Sequence, residues 1–128
     1  MSRLSVAAQV LKYDTGQFYK RHHDQNSPAT SAWGPRVYTF FMYLSDVEGG
    51  GETRFPLLNI TVKPKQGRAL LWPSILDGRP LERDDRTDHE ALSVSAGVKY
   101  AANYWLHMYD FQEPSKLGCG NQEVFGNW

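Results

Sequence analysis

Three short segments hold the residues whose types and spacing could do chemistry. His22-His23-Asp24 sets an imidazole and a carboxylate two positions apart. Asp88-His89-Glu90 brings a second imidazole much later, and Lys99 follows His89 by ten positions. Two imidazoles and one carboxylate can hold one face of a ferrous ion and leave its other positions open for chemistry. A cation further along the chain can hold an anionic cosubstrate against that metal. Alternate residues of a strand share a face, so a strand that points His22 inward points Asp24 inward too and turns His23 away. A later strand must then supply the third ligand, with His89 and His107 as the candidates. His107 lies eight residues past Lys99, roughly 27 Å along an extended strand, which sends it to the rim of the fold and favours His89.

Lys99 needs its own explanation. Within Val98–Leu106 (VKYAANYWL), alternation puts Lys99, Ala101, Asn103 and Trp105 on one face and Tyr100, Ala102, Tyr104 and Leu106 on the other. The second set reads as core packing, the first as the lining of a cavity. A buried ammonium is costly without an anion, and a dicarboxylate cosubstrate would supply one.

The elements that must position these groups read as strands separated by turns, with no long helix. They are Ser5–Tyr13, Gln17–Asp24, Val37–Leu44, Glu52–Phe55, Asn59–Lys63, Arg68–Trp72, His89–Val94 and Val98–His107. Asn26–Pro35 reads as a loop, Gly49–Gly51 as a hairpin turn and Ser74–Asp88 as a polar connection. The glycine run lacks the following Lys-Ser or Lys-Thr of a phosphate loop. Eight short strands at turn spacing predict a mainly β fold, a sandwich or jelly roll. Such a fold brings early and late strands together at its mouth. We expect one domain over residues 1–113 and a Gly- and Asn-rich tail over 114–128.

Composition narrows the function classes. The 128 residues suffice for one core. Lys plus Arg and Asp plus Glu are 14 each, which gives no electrostatic case for nucleic acid or an anionic membrane surface. No apolar run is long enough to span a bilayer. Cys119 is alone, so no internal disulfide forms, and without a basic neighbour in sequence it reads as a bystander thiol. Met1–Val10 lacks the apolar stretch and cleavage site of a signal peptide.

Taken in order, Val10–Asp24 (VLKYDTGQFYKRHHD), Tyr43–Pro56 (YLSDVEGGGETRFP), Val62–Trp72 (VKPKQGRALLW) and Gly97–Trp105 (GVKYAANYW) resemble the prolyl 4-hydroxylase catalytic domain. That family belongs to the 2-oxoglutarate- and Fe(II)-dependent dioxygenases, and the similarity runs from about Val6 to Phe111. The resemblance implies a double-stranded β-helix, a cupin-like jelly roll. It implies His22, Asp24 and His89 as iron ligands and Lys99 as partner of the distal carboxylate of 2-oxoglutarate, with Tyr43 and Thr39 near that carboxylate. It implies Tyr19, Trp105, Arg36 and Tyr13 at the peptide site. Cofactors would be Fe(II), 2-oxoglutarate and O2, with ascorbate as reductant, and the substrate a proline-containing peptide. The chain departs from the family in starting almost at the first strand, without preceding helices, and in its sequence between His89 and Lys99. Rival readings are the same chemistry on a lysyl side chain or small molecule, a silent jelly-roll binding domain, or a cupin without 2-oxoglutarate. The compartment stays open: the cytoplasm fits this N-terminus, and the endoplasmic reticulum, frequent in the family, would need a targeting segment upstream. Oligomeric state is not legible.

Overall fold

A computed structural model of the chain describes residues 8–28, 31 and 33–110. The segment 114–128 and Cys119 lie outside the described residues. Two four-stranded antiparallel sheets pack face to face, and the chain alternates between them in the manner of a double-stranded β-helix, or jelly roll. Among the described residues, hydrogen bonding does not close them into a barrel. The major sheet has the order β1 (Gln9–Tyr13), β12 (Lys99–His107), β3 (Arg36–Tyr43), β7 (Ala69–Pro73). The minor sheet has the order β2 (Tyr19–His22), β10 (His89–Ala91), β5 (Thr53–Phe55), β6 (Ile60–Val62). These eight strands are the eight expected from sequence, each trimmed or shifted by a few residues.

Density of β-branched and aromatic side chains makes β3 and β12 the longest strands and the centre of the major sheet. Their register pairs Tyr43 with Ala101, Phe41 with Asn103 and Thr39 with Trp105. Facing inward from both sheets, Phe41, Tyr43, Trp72, Ala101 and Phe55 form the core, with Leu11, Val62 and Leu70 packed against it. Edge-to-face packing of Phe55 on Trp72, at 5.2 Å between ring centres, ties the sheets together.

Four short strands went unread in the sequence. Gly49–Gly50 (β4) pairs with Val94–Ala96 (β11), and Ile75–Leu76 (β8) with Arg79–Arg83 (β9). The glycine run is therefore part strand rather than all turn. The expected strand His89–Val94 is broken: β10 ends at Ala91, and the chain moves to a second pairing at Val94. The polar connection Ser74–Asp88 holds the β8–β9 hairpin and a short 3-10 turn, Asp85–Thr87. Asp84 opens that turn by accepting the Arg86 backbone N–H.

One face assignment is corrected. Tyr100, expected in the core with Ala102, Tyr104 and Leu106, is 42% exposed on the outer face of the major sheet. The core lies on the Lys99 side, which the sequence presents as the more polar one.

Candidate metal and cosubstrate site

β2 carries His22, and Asp24 follows just past its end. β10 opens on His89, paired in register with His22. That pairing is what joins an early segment to a late one. The donor atoms of His22, Asp24 and His89 lie within 4.8 Å of one another, the one such cluster among the described residues. His22 Nε2 is 3.5 Å from Asp24 Oδ1, and His89 Nε2 is 3.7 Å from Asp24 Oδ2. Each ring turns its other nitrogen to a carbonyl: His22 Nδ1 donates to Lys20 O at 2.9 Å, and His89 Nδ1 to Thr87 O at 3.0 Å. A carbonyl only accepts, so both Nδ1 atoms carry the proton and both Nε2 lone pairs aim at the carboxylate. Metal-binding histidines are oriented this way, and the three groups fit a divalent ion.

The electrostatics agree. Burial alone would raise the Asp24 pKa, but His22, His89 and the Thr39 hydroxyl outweigh it and hold it at about 2. Burial lowers the His89 pKa against the pull of Asp24, keeping that ring neutral. Burial also opposes the charged form of His22, yet the hydrogen bond that its protonated Nε2 would donate to Asp24, with the one to Lys20 O, leaves its pKa raised. An ionised carboxylate beside a neutral, Nδ1-protonated imidazole is the form a metal takes up.

His23 does point away from this cluster, but into the interior. It is buried, its Nε2 donating to Asp84 O at 3.0 Å while its Nδ1 accepts the Gln25 N–H. It thereby clasps the segment holding His22 and Asp24 to the turn that leads into His89. His107 joins no such cluster. It sits at the end of β12, but buried rather than on an exposed rim, with Nδ1 3.3 Å from Gly34 O. Burial lowers its pKa to about 4.

A cavity of about 390 Å³ opens in front of the three residues, lined also by Tyr13, Tyr19, Arg36, Trp105 and Lys99. Lys99 is 1% exposed, and its Nζ donates to Gly51 O at 2.8 Å. The rings of Tyr13, Phe41 and Tyr43 surround it, their centres 5.1, 5.5 and 5.5 Å from Nζ. Burial brings its pKa down to about 8, with Glu52 opposing. This is an underpaired cation in a walled cavity that also holds a metal-type cluster. Gly51 adopts φ +72°, and a Cβ there would sit 3.3 Å from Lys99 Cδ. The close approach of that carbonyl to the ammonium thus depends on a glycine.

Of the two residues the resemblance put beside the cosubstrate carboxylate, Tyr43 stands by Lys99, its hydroxyl 2.7 Å from Thr53 Oγ1 and 3.1 Å from Val62 O. Thr39 does not. It is fully buried behind Asp24 and donates to Asp24 Oδ2 at 2.6 Å, so it orients a candidate ligand. The reason is register: Thr39 lies opposite Trp105, whereas Lys99 lies beyond the Tyr43 end of β3.

Among the residues assigned to substrate, Tyr19 meets His22 edge to face at 4.4 Å and is half exposed. Arg36 stacks on Trp105, its guanidinium carbon 4.1 Å from the ring centre, and its Nη1 donates to Asn26 Oδ1 at 2.9 Å and Asp24 O at 3.3 Å. Tyr13 lies at the Lys99 end rather than only at the mouth, in register with Lys99. The sequence reading missed Thr53 and Trp72, which also line the cavity. Thr53 shares a face with Phe55 two positions on, a signal the short strand did carry.

Comparison with known proteins accords with this geometry. The sequence pattern of the 2OG-Fe(II) oxygenase superfamily matches residues 8–107. Prolyl 4-hydroxylase subunit alpha-2 of Gallus gallus is 38% identical over 91% of this chain and 22% of its own length. Prolyl 4-hydroxylase 1 of Arabidopsis thaliana is 40% identical over 77% of this chain and 39% of its own. The chain therefore spans well under half the length of these curated relatives. In structure it is similar to a viral collagen prolyl hydroxylase from Paramecium Bursaria Chlorella virus-1, solved as a 2OG complex. The TM-score is 0.75 and the identity 31%, over 82% of this chain and 60% of that one. With the two-sheet fold, the His-Asp-His cluster and the buried lysine, the match over residues 8–107 places the chain in the 2OG-Fe(II) oxygenase superfamily.

Proposed function

We propose that this chain is the catalytic core of a prolyl 4-hydroxylase. The observation that carries the reading is the placement of the His22, Asp24 and His89 donor atoms and the Lys99 ammonium on one cavity. Bound there with 2-oxoglutarate, ferrous iron would supply dioxygen activation: 2-oxoglutarate goes to succinate and CO2, one oxygen atom enters succinate, and the other enters a substrate C–H bond.

The chain's own residues hold and orient. His22, Asp24 and His89 would hold the iron, with Thr39 fixing one carboxylate oxygen and the Lys20 and Thr87 carbonyls fixing the rings. Lys99 would pair with the far carboxylate of 2-oxoglutarate, while the rings of Tyr13, Phe41 and Tyr43 keep water from that pair. Tyr19 and Trp105 offer aromatic walls to a proline ring. Arg36, stacked on Trp105 and tied to Asp24 O, joins that wall to the ligand segment. The peptide substrate is supported by the prolyl 4-hydroxylase relatives. Ascorbate as reductant belongs to the same reading.

The test is incubation of the iron-loaded chain with 2-oxoglutarate, oxygen and a panel of peptides. The reading expects a 16 Da gain localised to proline, with succinate formed in equal amount. A gain on lysine, or succinate without peptide product, would assign the same cavity to another substrate.

A further inference from the structure

The ladder that brings His22 beside His89 ends on that pair. β2 stops at His22 and β10 starts at His89, so Asp24 on one chain segment and Thr87 on the other lie past the last rung. Among the described residues, no backbone hydrogen bond joins 23–25 to 84–88. The two segments must nevertheless hold three donor atoms within 4.8 Å of one another. Side chains have to make that join.

Two of them do. Arg21 Nη2 lies 3.0 Å from Asp88 Oδ2, but the Arg21 side chain is 45% exposed, and an exposed ion pair holds weakly. His23 is buried. Its Nδ1 accepts the Gln25 N–H at 3.0 Å. Its Nε2 therefore carries the proton, and lies 3.0 Å from Asp84 O and 3.2 Å from Thr87 Oγ1. The Thr87 hydroxyl donates in turn to Asp84 O at 2.9 Å. Both nitrogens of the buried ring are used, so an apolar side chain of the same size would fill the space and lose the link.

The link reaches the candidate ligands at both ends. Gln25 follows Asp24 in the chain, and its Oε1 accepts the Arg36 N–H at 2.9 Å. Thr87 O accepts the His89 Nδ1–H at 3.0 Å. His22 differs, because its Nδ1 bonds Lys20 O on its own strand. We propose that His23 is a positioning residue for the candidate metal site: binding no metal itself, it sets Asp24 against His89 through Asp84 and Thr87. The proposal rests on the metal reading above and adds that losing His23 loosens one imidazole and not the other.

Co(II) titration of the full chain, followed by absorbance and proton NMR, tests it. His23→Asn keeps an acceptor for the Gln25 N–H but is too short to reach Asp84. His23→Gln keeps an N–H at the reach of Nε2. Thr87→Val removes only the hydroxyl, and Thr87→Ser restores it. The Co(II) dissociation constant should rise about tenfold in His23→Asn and by less in Thr87→Val. It should stay near the wild-type value in His23→Gln and Thr87→Ser. Each Co(II)-bound ring also gives one strongly shifted, exchangeable Nδ1–H resonance. The wild type should show two, and His23→Asn should broaden one by exchange with water and leave the other sharp. Wild-type affinity in folded His23→Asn or Thr87→Val, or equal losses in the Asn and Gln variants, would overturn the role. So would broadening of neither resonance, or of both, since a general loosening of the fold moves both. Should His23→Asn not fold, the two Thr87 variants decide. Co(II) uptake that the variants leave unchanged keeps the metal site and removes the role of His23. No uptake by the wild type removes the metal site, and this role with it.

Discussion

The two faces of the major sheet are built from the same strands and have opposite lives. On the inner face Thr39, Tyr43, Ala101 and Lys99 are at most 1% exposed. On the outer face Val10, Tyr38, Leu71 and Tyr100 are 67, 44, 64 and 42% exposed. By hydrophobicity the order would be reversed, since the outer row is the more apolar. What decides is the second sheet: β2, β10, β5 and β6 cover only the inner face, and the three polar side chains of that row each have a partner. Thr39 donates to Asp24, Tyr43 meets Thr53, and Lys99 has Gly51 O and its ring of aromatics. A polar side chain facing inward from such a sheet therefore marks the site, while an apolar one facing outward marks little.

Substitutions on the two faces should separate accordingly. The largest effect belongs to Lys99→Ala, which removes the cavity's cation. We expect 2-oxoglutarate affinity to fall about 100-fold or more, read as the dissociation constant by calorimetry on iron-loaded protein, with iron binding retained. Thr39→Val comes next. Losing the hydroxyl that fixes Asp24 should weaken divalent-metal binding about tenfold, measurable with Co(II) by absorbance, and Thr39→Ser should restore it.

Lys99 also makes a smaller, opposite prediction about stability. Its folded-state pKa of about 8 lies below the ordinary 10.5, so the unfolded chain holds the extra proton between those values. The charge costs the empty folded protein about 3 kcal/mol below pH 8, offset by about 1 from the bond to Gly51 O. Lys99→Met should thus stabilise the cosubstrate-free protein by about 1–2 kcal/mol at pH 7 in urea unfolding. The advantage should shrink as pH rises from 8 to 10.5, where the wild type sheds the proton. For the same reason 2-oxoglutarate affinity should decline above pH 8. On the outer face, Tyr100→Ser should change stability by no more than about 0.5 kcal/mol and leave both ligand affinities alone. A large loss there would mean that the outer face is packed and that the contrast between the faces is wrong.

Much of this was legible in the chain because it rests on local patterns. β-branched and aromatic alternation marks β3 and β12, and His-x-Asp followed by His89 and Lys99 marks the cluster. The rest depends on partners that no local window contains. The burial of His23 requires the Asp84 carbonyl, sixty-one positions away. Thr39 belongs to Asp24 rather than to the cosubstrate because β3 and β12 run in one register and not its neighbour. The break between β10 and β11 follows from Val94 pairing with Gly50, in a strand whose glycines carry no side-chain pattern. Which face of β12 is core is settled by the sheet that covers it.

The most direct test of the central claim is an anaerobic titration of the Fe(II)-loaded chain with 2-oxoglutarate, followed in the visible. Chelation of the iron by the keto acid gives a weak metal-to-ligand charge-transfer band. The account predicts that band in the wild type, a much higher 2-oxoglutarate requirement in Lys99→Ala, and no band in His89→Ala. A folded, iron-loaded wild type that shows no band at saturating 2-oxoglutarate would contradict it.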